Sequence, residues 1–332
     1  MKITFSSPLA SLLRPYITLK QALGRKYALE ASVLFSLDRF LADPKTGDHN
    51  LTSETFCQWC QKLEKLKPGV RRAYMRIIRN FCLYRRRLEP HCFVPDIALF
   101  PRPHQHVSPY IFSPAEIQQL LDQCSRFKPA RYSPLRPQLF RLVVVLLFTT
   151  GVRRGELLRL TVRDYDSHEG TLLIRASKFH KSRLLPLPDD VRREIDHFLE
   201  TRRRHSLPIS PETPLVWSSF GGGRAYTPES LRYGLEQLLK RAKIQTPSGR
   251  LPRTHDWRHS FAANALVRWY RQGVDVQAKL PFLAAYMGHV SPLSTYYYLH
   301  FVEPLRTLAS RRFAKHYGRL VRSASNSKGG AQ

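Results

Sequence analysis

Apolar positions recur at helical spacing through the first hundred residues of the 332-residue chain. They predict helices over 9–23 and 29–41. A third follows over 52–66, where Thr52 and Glu54 supply a cap and an acid in the first turn. A fourth, over 70–88, carries one apolar stripe of Tyr74, Ile77, Ile78, Phe81 and Cys82. Arg71, Arg72, Arg76, Arg79, Arg85, Arg86 and Arg87 crowd the rest of it, and no acid falls between Arg71 and Leu88. A merely solvated face mixes both signs, so phosphate contact is favoured, with Arg71, Arg72, Arg76 and Arg79 as the candidates for binding a phosphate backbone.

From Pro90 the periodicity stops, and Pro90, Pro95, Pro101, Pro103 and Pro109 follow in close order. This is the composition of a semi-stiff linker, placed over 101–112. A second unit opens at Ser113-Pro114-Ala115-Glu116, a capping box with Pro at the first helical position. Residues 139–148 are apolar nearly all round and read as a buried central helix, although periodicity alone also admits a strand. Short strand-like runs over 171–175 and 183–187 flank a hairpin, 176–182. Further helices are expected over 227–242, 255–271, 275–287 and 303–316, and the tail frays from about residue 321. The expected organisation is a helical domain over 1–100, a linker over 101–112, a larger domain over 113–320 and a flexible tail over 321–332. The fold class is mainly α with a small β-element.

Composition narrows the partners. The apolar share, 42%, fills a core, and 54 Lys and Arg against 25 Asp and Glu leave a net charge of +29. Self-repulsion on that scale points to a polyanion partner. The longest apolar run, from Leu142 to Phe148, is far short of the roughly 18 residues a membrane span needs, so no membrane association is expected. Ser6, Ser7, Pro8 and Arg14-Pro15 interrupt any apolar leader, and five cysteines give no disulfide framework. A cytoplasmic, nucleoid-associated protein is expected. Cys57 and Cys60 form a CxxC, with His91 and Cys92 further on, but they sit in a helical pattern with Phe56, Trp59 and Leu63 and read as a buried face rather than a zinc site.

Metal-dependent nucleases gather two or three carboxylates around their cations, and no such cluster stands out among the acids, so no metal site is expected. Arg, Lys, His and Tyr dominate the second domain instead, a set suited to phosphoryl transfer in which cations clamp the phosphate and a side chain attacks. Four stretches carry it. Thr150-Gly151-Val152-Arg153-Arg154-Gly155-Glu156 places an Arg at the edge of the core, where a phosphate or the acid three residues on is its partner. The hairpin offers Lys178, Lys181 and Arg183, which also read as plain surface charge. His255 and Arg258 share a helix face, unless His255 merely caps it. Tyr286-Met287-Gly288-His289 precedes Tyr296, Tyr297 and Tyr298, which alone read as packing aromatics.

Taken together, the four stretches resemble the tyrosine recombinase (phage integrase) family. The shared patterns are T-G-x-R-x-x-E, a hairpin Lys before K-x-R-x-x-P (Lys181, Arg183, Pro186), H-x-x-R-H, and G-H followed by a tyrosine nine residues beyond His289. The resemblance covers about 113–316 and implies an N-terminal core-binding domain ahead of the catalytic one. It implies that Arg153 and Arg258 hold the phosphate, that Lys178 protonates the departing 5′-oxygen, that His255 takes the tyrosine proton and that His289 hydrogen-bonds the phosphate. Tyr298 attacks to give a 3′-phosphotyrosyl link, with Lys181 and Arg183 among the DNA contacts. Neither ATP nor metal is implied as a cofactor. The implied partners are double-stranded DNA and further copies of the chain, a tetramer on two DNA sites. Two rivals share these residues: type IB topoisomerase-like relaxation, and a catalytically silent DNA-binding regulator.

Overall fold

The computed structural model describes residues 4–46, 48–102, 108–175 and 182–289. Lys178, Lys181, Tyr298, the helix expected over 303–316 and the tail lie outside the described residues. The chain divides into two compact units between residues 107 and 108.

The first unit holds α1 (Ala10–Ala22), α2 (Ala28–Leu41), α3 (Ser53–Gln61) and α4 (Pro68–Arg85). Leu13, Tyr16, Leu34, Leu37, Phe56, Trp59, Ile78 and Phe81 close its core. Thr52 caps α3, accepting a hydrogen bond from the Thr55 N–H at 3.3 Å. Phe56 and Trp59 take the buried side of α3, so Cys57, about 100° round the helix from Phe56, is exposed and Cys60 half-buried. The expectation of a buried CxxC face is corrected accordingly.

The arginines of α4 are not a uniform basic face. Arg72 donates from Nη1 to the Pro101 carbonyl at 2.7 Å and Arg79 to the Pro95 carbonyl at 2.8 Å. These two fasten the Pro-rich segment back onto the helix, because a segment poor in N–H donors and secondary structure leaves carbonyls to be satisfied. Arg85 is buried and paired with Glu89. Arg76 is exposed and Arg71 half-buried.

The second unit is built round α6 (Arg136–Thr150), which packs against α5 (Pro114–Ser125), α8 (Asp189–Arg204) and α10 (Asp256–Arg271). Leu139, Phe140, Leu142, Val143, Val144, Leu146 and Leu147 of α6 are all buried, and each contributes about 1.5–3 kcal/mol of apolar burial. Contacts on several sides explain why its sequence lacks an amphipathic stripe, and they settle helix over strand. The capping box at Ser113 forms as the sequence predicts: the Glu116 N–H donates to Ser113 Oγ at 3.3 Å and the Ser113 N–H to Glu116 Oε2 at 2.8 Å.

A three-stranded antiparallel sheet runs β1 (Tyr165–Asp166), β2 (Thr171–Ile174), β3 (Arg183–Pro186), with Leu172 opposite Leu185, and β4 (Trp217–Ser218) pairs with β5 (Arg224–Ala225). The remaining helices are α7 (Arg154–Leu157), α9 (Pro228–Arg241) and α11 (Val276–Met287). Helix α8 is an element the sequence reading missed, although Asp189 and Asp190 open it, Arg202, Arg203 and Arg204 close it, and Val191, Ile195 and Phe198 form its buried row.

Helix α9 approaches α6 through Gly234, where an added Cβ would sit 2.0 Å from Phe140 Cζ. Gly234→Ala is therefore expected to destabilise the unit by about 1–3 kcal/mol despite the better helix propensity of Ala. Thermal unfolding checks it, and an unchanged or raised Tm contradicts it.

The end of the expected linker belongs to this unit. Phe112 is fully buried, its ring 4.4 Å from that of Trp257, and its N–H donates to Ser260 Oγ at 2.8 Å. Asn264 donates back to the Phe112 carbonyl at 3.3 Å. Periodicity cannot show this, since a single aromatic anchor leaves no repeat.

Candidate active site

Helix α6 ends at Gly151, whose left-handed φ of +59° reverses the chain. A Cβ there would also meet Phe261 Cδ1 at 2.4 Å, so glycine is required twice over. The turn places Arg153 at the N-terminus of α7, with Glu156 one turn on. Glu156 accepts from the Arg153 N–H at 2.9 Å and from its Nη1 at 2.7 Å, and its side chain is only 2% exposed. The Arg–Glu pair that rivalled phosphate binding in the sequence thus exists, with its carboxylate buried and Arg153 half-buried. Arg154, the alternative to Arg153, is exposed.

Helix α11 also ends on a left-handed glycine, Gly288 with φ +67°. The His289 N–H returns to the Ala284 carbonyl at 2.9 Å and the Gly288 N–H to that of Ala285 at 2.9 Å, a closed C-terminal cap that fixes the main chain of His289. The last carbonyls of α11 are each held by a different guanidinium. Arg183 donates to Tyr286 O at 2.8 Å, Arg258 to Met287 O, and Arg153 to Gly288 O at 3.0 Å. Arg258, on α10 and fully buried, also donates to Gly151 O at 2.6 Å, so one side chain joins the two glycine turns.

His255 stands at the start of α10, and His259, one turn on, meets its ring edge-to-face at 4.7 Å. His255 is exposed as a residue, yet its pKa is lowered by partial desolvation and then by the Arg258 and Arg153 guanidiniums. His259 is lowered to about 4 by desolvation and then by His255. Desolvation also lowers His289 to about 4, with Arg258 and Arg153 next in effect. His259 and His289 are therefore neutral at pH 7, and the shift of His255 favours its neutral form as well. Glu156 is held at about 2: burial pushes its carboxyl up, but hydrogen bonds from Arg183 and Arg153 outweigh it.

These shifts predict an acid-sensitive pocket. In the unfolded chain the imidazoles titrate near 6.5, above their folded values, so the unfolded state binds more protons between about pH 6.5 and 4. Stability is intact above that window and falls as the pH drops through it. NMR titration of the free protein is expected to place His259 and His289 near 4, and Tm is expected to fall from pH 7 to pH 5. Ordinary titration of both rings near 6.5 contradicts this.

Of the expected site residues, Arg153, His255, Arg258 and His289 come together around the ends of α6 and α11 and the start of α10. Arg183, expected as a DNA contact, does not lie on an open basic surface. Its side chain is 11% exposed, and it makes a forked ion pair with Glu156 at 3.2 and 2.8 Å. Its acceptors are one acid 27 residues away and a main-chain carbonyl 103 residues away, neither visible in a local pattern. His259 was missed as a participant, although its spacing of four from His255 carried the signal. Among the described residues no group of three or more His, Cys, Asp or Glu could hold a metal ion, and no helix is long and apolar enough to cross a membrane.

The family model for the phage integrase family matches residues 111–303. Among similar proteins, the integrase/recombinase y4rB of Sinorhizobium fredii is 31% identical over 306 residues, covering 91% of this chain and 96% of that protein. Tyrosine recombinase XerA of Pyrococcus furiosus is 30% identical over 171 residues, covering 48% of this chain and 49% of its own. The Tn1549 transposon integrase, solved in complex with a circular intermediate DNA, has the same fold with a TM-score of 0.63 at 17% identity, over 93% of this chain and 100% of that one. A lambda integrase dimer bound to a COC′ core site gives a TM-score of 0.60 at 16% identity, over 87% and 94%. Arg153, His255, Arg258 and His289 thus converge inside a matched domain, and a relative is alike along nearly the whole chain: the protein belongs to the phage integrase family, the tyrosine-type enzymes that break and rejoin DNA.

Proposed function

We propose that this chain is a site-specific DNA recombinase that cleaves and rejoins duplex DNA through a 3′-phosphotyrosyl intermediate, in integration, excision or transposition. The observation that carries the reading is the convergence of Arg153, Arg258, His255 and His289 at the ends of α6 and α11. Two guanidiniums brought together there make an anion site, and the neutral imidazoles beside them can accept a proton or donate a hydrogen bond.

Tyr298 supplies the nucleophile. Free tyrosine has a pKa near 10, so only about one in a thousand is ionised at pH 7, and a base is needed. His255 accepts the phenolic proton as the Tyr298 oxygen bonds to phosphorus. Lys178 gives a proton to the 5′-oxygen as the P–O bond to it breaks. Arg153 and Arg258 hold the non-bridging oxygens and His289 donates to one of them, stabilising the charge of the pentacoordinate state. One phosphoester replaces another, so the energy of the bond is kept for the reverse attack by a 5′-hydroxyl from the partner strand. Strand exchange between two duplexes uses four tyrosines, hence a homotetramer on two DNA sites. The first unit adds phosphate contacts through α4, by way of the exposed Arg76 and the half-buried Arg71, Arg72 and Arg79, the last two of which each give one Nη1 to a main-chain carbonyl. The cellular setting is the cytoplasm, on the nucleoid.

The test is a set of duplexes from the DNA flanking the gene, each nicked beside the expected cleavage point so that the released fragment diffuses away. A DNA–protein adduct that survives denaturation is expected. Relaxation of a plasmid lacking any such site points instead to a topoisomerase, and absence of an adduct on every duplex leaves a DNA-binding protein without this chemistry.

A further inference from the structure

Three arginines end on consecutive carbonyls of α11, but only two of them belong to the proposed phosphate site. Arg183 is the third, and it lies on β3. It reaches Tyr286 O through Nε at 2.8 Å and spans both oxygens of Glu156 through its two Nη atoms. Its guanidinium is pressed against Gly288, where an added Cβ would fall 2.9 Å from Nη1. Gly288 is the residue whose carbonyl Arg153 holds, and His289 follows it.

We infer that Arg183 is a positioning residue for the phosphate site: it satisfies Glu156 and anchors the end of α11, so that Arg153 stays available to phosphate and His289 stays in place. This rests on the recombinase reading given above. The charge arithmetic carries it. Glu156 is buried and shared between Arg153 and Arg183, so the trio has a net charge of +1. Remove Arg183 and the pair of Arg153 with Glu156 is neutral. The guanidinium meant for phosphate then serves as the counter-ion of a buried carboxylate, which in low dielectric is a strong competitor. The Tyr286 carbonyl loses its donor at the same time, and the helix end preceding His289 loses one of its three cations. A lysine cannot stand in, because one ammonium does not span a forked carboxylate and a third acceptor together.

The experiment measures DNA affinity and the rate of covalent-complex formation separately, on the nicked duplex, for the wild type, Arg183→Gln and Arg183→Lys. At saturating DNA the rate is expected to fall about 10- to 100-fold in Arg183→Gln and to recover less than fully in Arg183→Lys, with Kd and its salt dependence unchanged. Glu156→Gln in the Arg183→Gln background is expected to restore part of the lost rate, because the competing carboxylate is gone. A purely structural role does not predict that recovery. If Arg183→Gln does not accumulate folded, Arg183→Lys and its pairing with Glu156→Gln carry the same test. A rate within twofold of wild type at saturation overturns the inference, as does a loss that appears only in Kd with a shallower salt slope, which would make Arg183 a DNA contact. Failure of the wild type itself to form the adduct strikes the recombinase reading instead.

Discussion

Tyr298→Phe is expected to abolish covalent-complex formation, a loss on the order of 10⁴-fold or more, while DNA affinity stays near that of wild type. The change deletes one oxygen, and that oxygen is the atom proposed to bond phosphorus. A phenyl ring has no oxygen with which to attack phosphorus. The measurement is a denaturing gel of protein with the nicked duplex, beside a binding isotherm. Tyr296→Phe and Tyr297→Phe are the internal comparison: both are expected to keep forming the adduct. An adduct persisting in Tyr298→Phe, with peptide mapping that places the DNA on Tyr296 or Tyr297, moves the nucleophile and overturns the assignment.

Arg258→Lys is expected to slow cleavage at saturating DNA by about 10²–10³-fold, the usual cost of removing a preorganised donor from a charged transition state. The size of the effect follows from its burial and its geometry. Arg258 is 2% exposed and its fork reaches two main-chain carbonyls, one at each glycine turn. A lysine keeps the charge but cannot hold Gly151 O and Met287 O together, so one buried carbonyl is left unsatisfied at about 1–3 kcal/mol. The variant should therefore lose both rate and Tm, and the rate is to be measured well below the new Tm. Cleavage within tenfold of wild type removes Arg258 from the site.

The sequence reading located most elements because their signals are local. The Ser113–Glu116 box, the Thr52 cap and the short strand-like runs at β2 and β3 depend on residues a few positions apart. The convergence of Arg153, His255, Arg258 and His289 was legible only through their order and spacing along the chain. What escaped depends on partners with no side-chain signature. Arg183 was read as a DNA contact because a strand arginine after a lysine-rich hairpin looks solvated, whereas its acceptors include a backbone oxygen that any residue carries. The carbonyl partners of Arg72 and Arg79 escape a sequence pattern for the same reason. Helix α8 is a different case: its acidic start, basic end and apolar row were all present, and its high charge masked the row.

The attachment of Phe112 bears on where the protein can be divided. Ser260 receives the Phe112 N–H and lies two residues past Arg258, so the segment that opens the second unit is stitched to the helix that carries Arg258. A fragment beginning at Ser108 keeps that stitch. One beginning at Ser113 opens a vacancy against the Trp257 ring beside Arg258, and is the wrong piece in which to study catalysis.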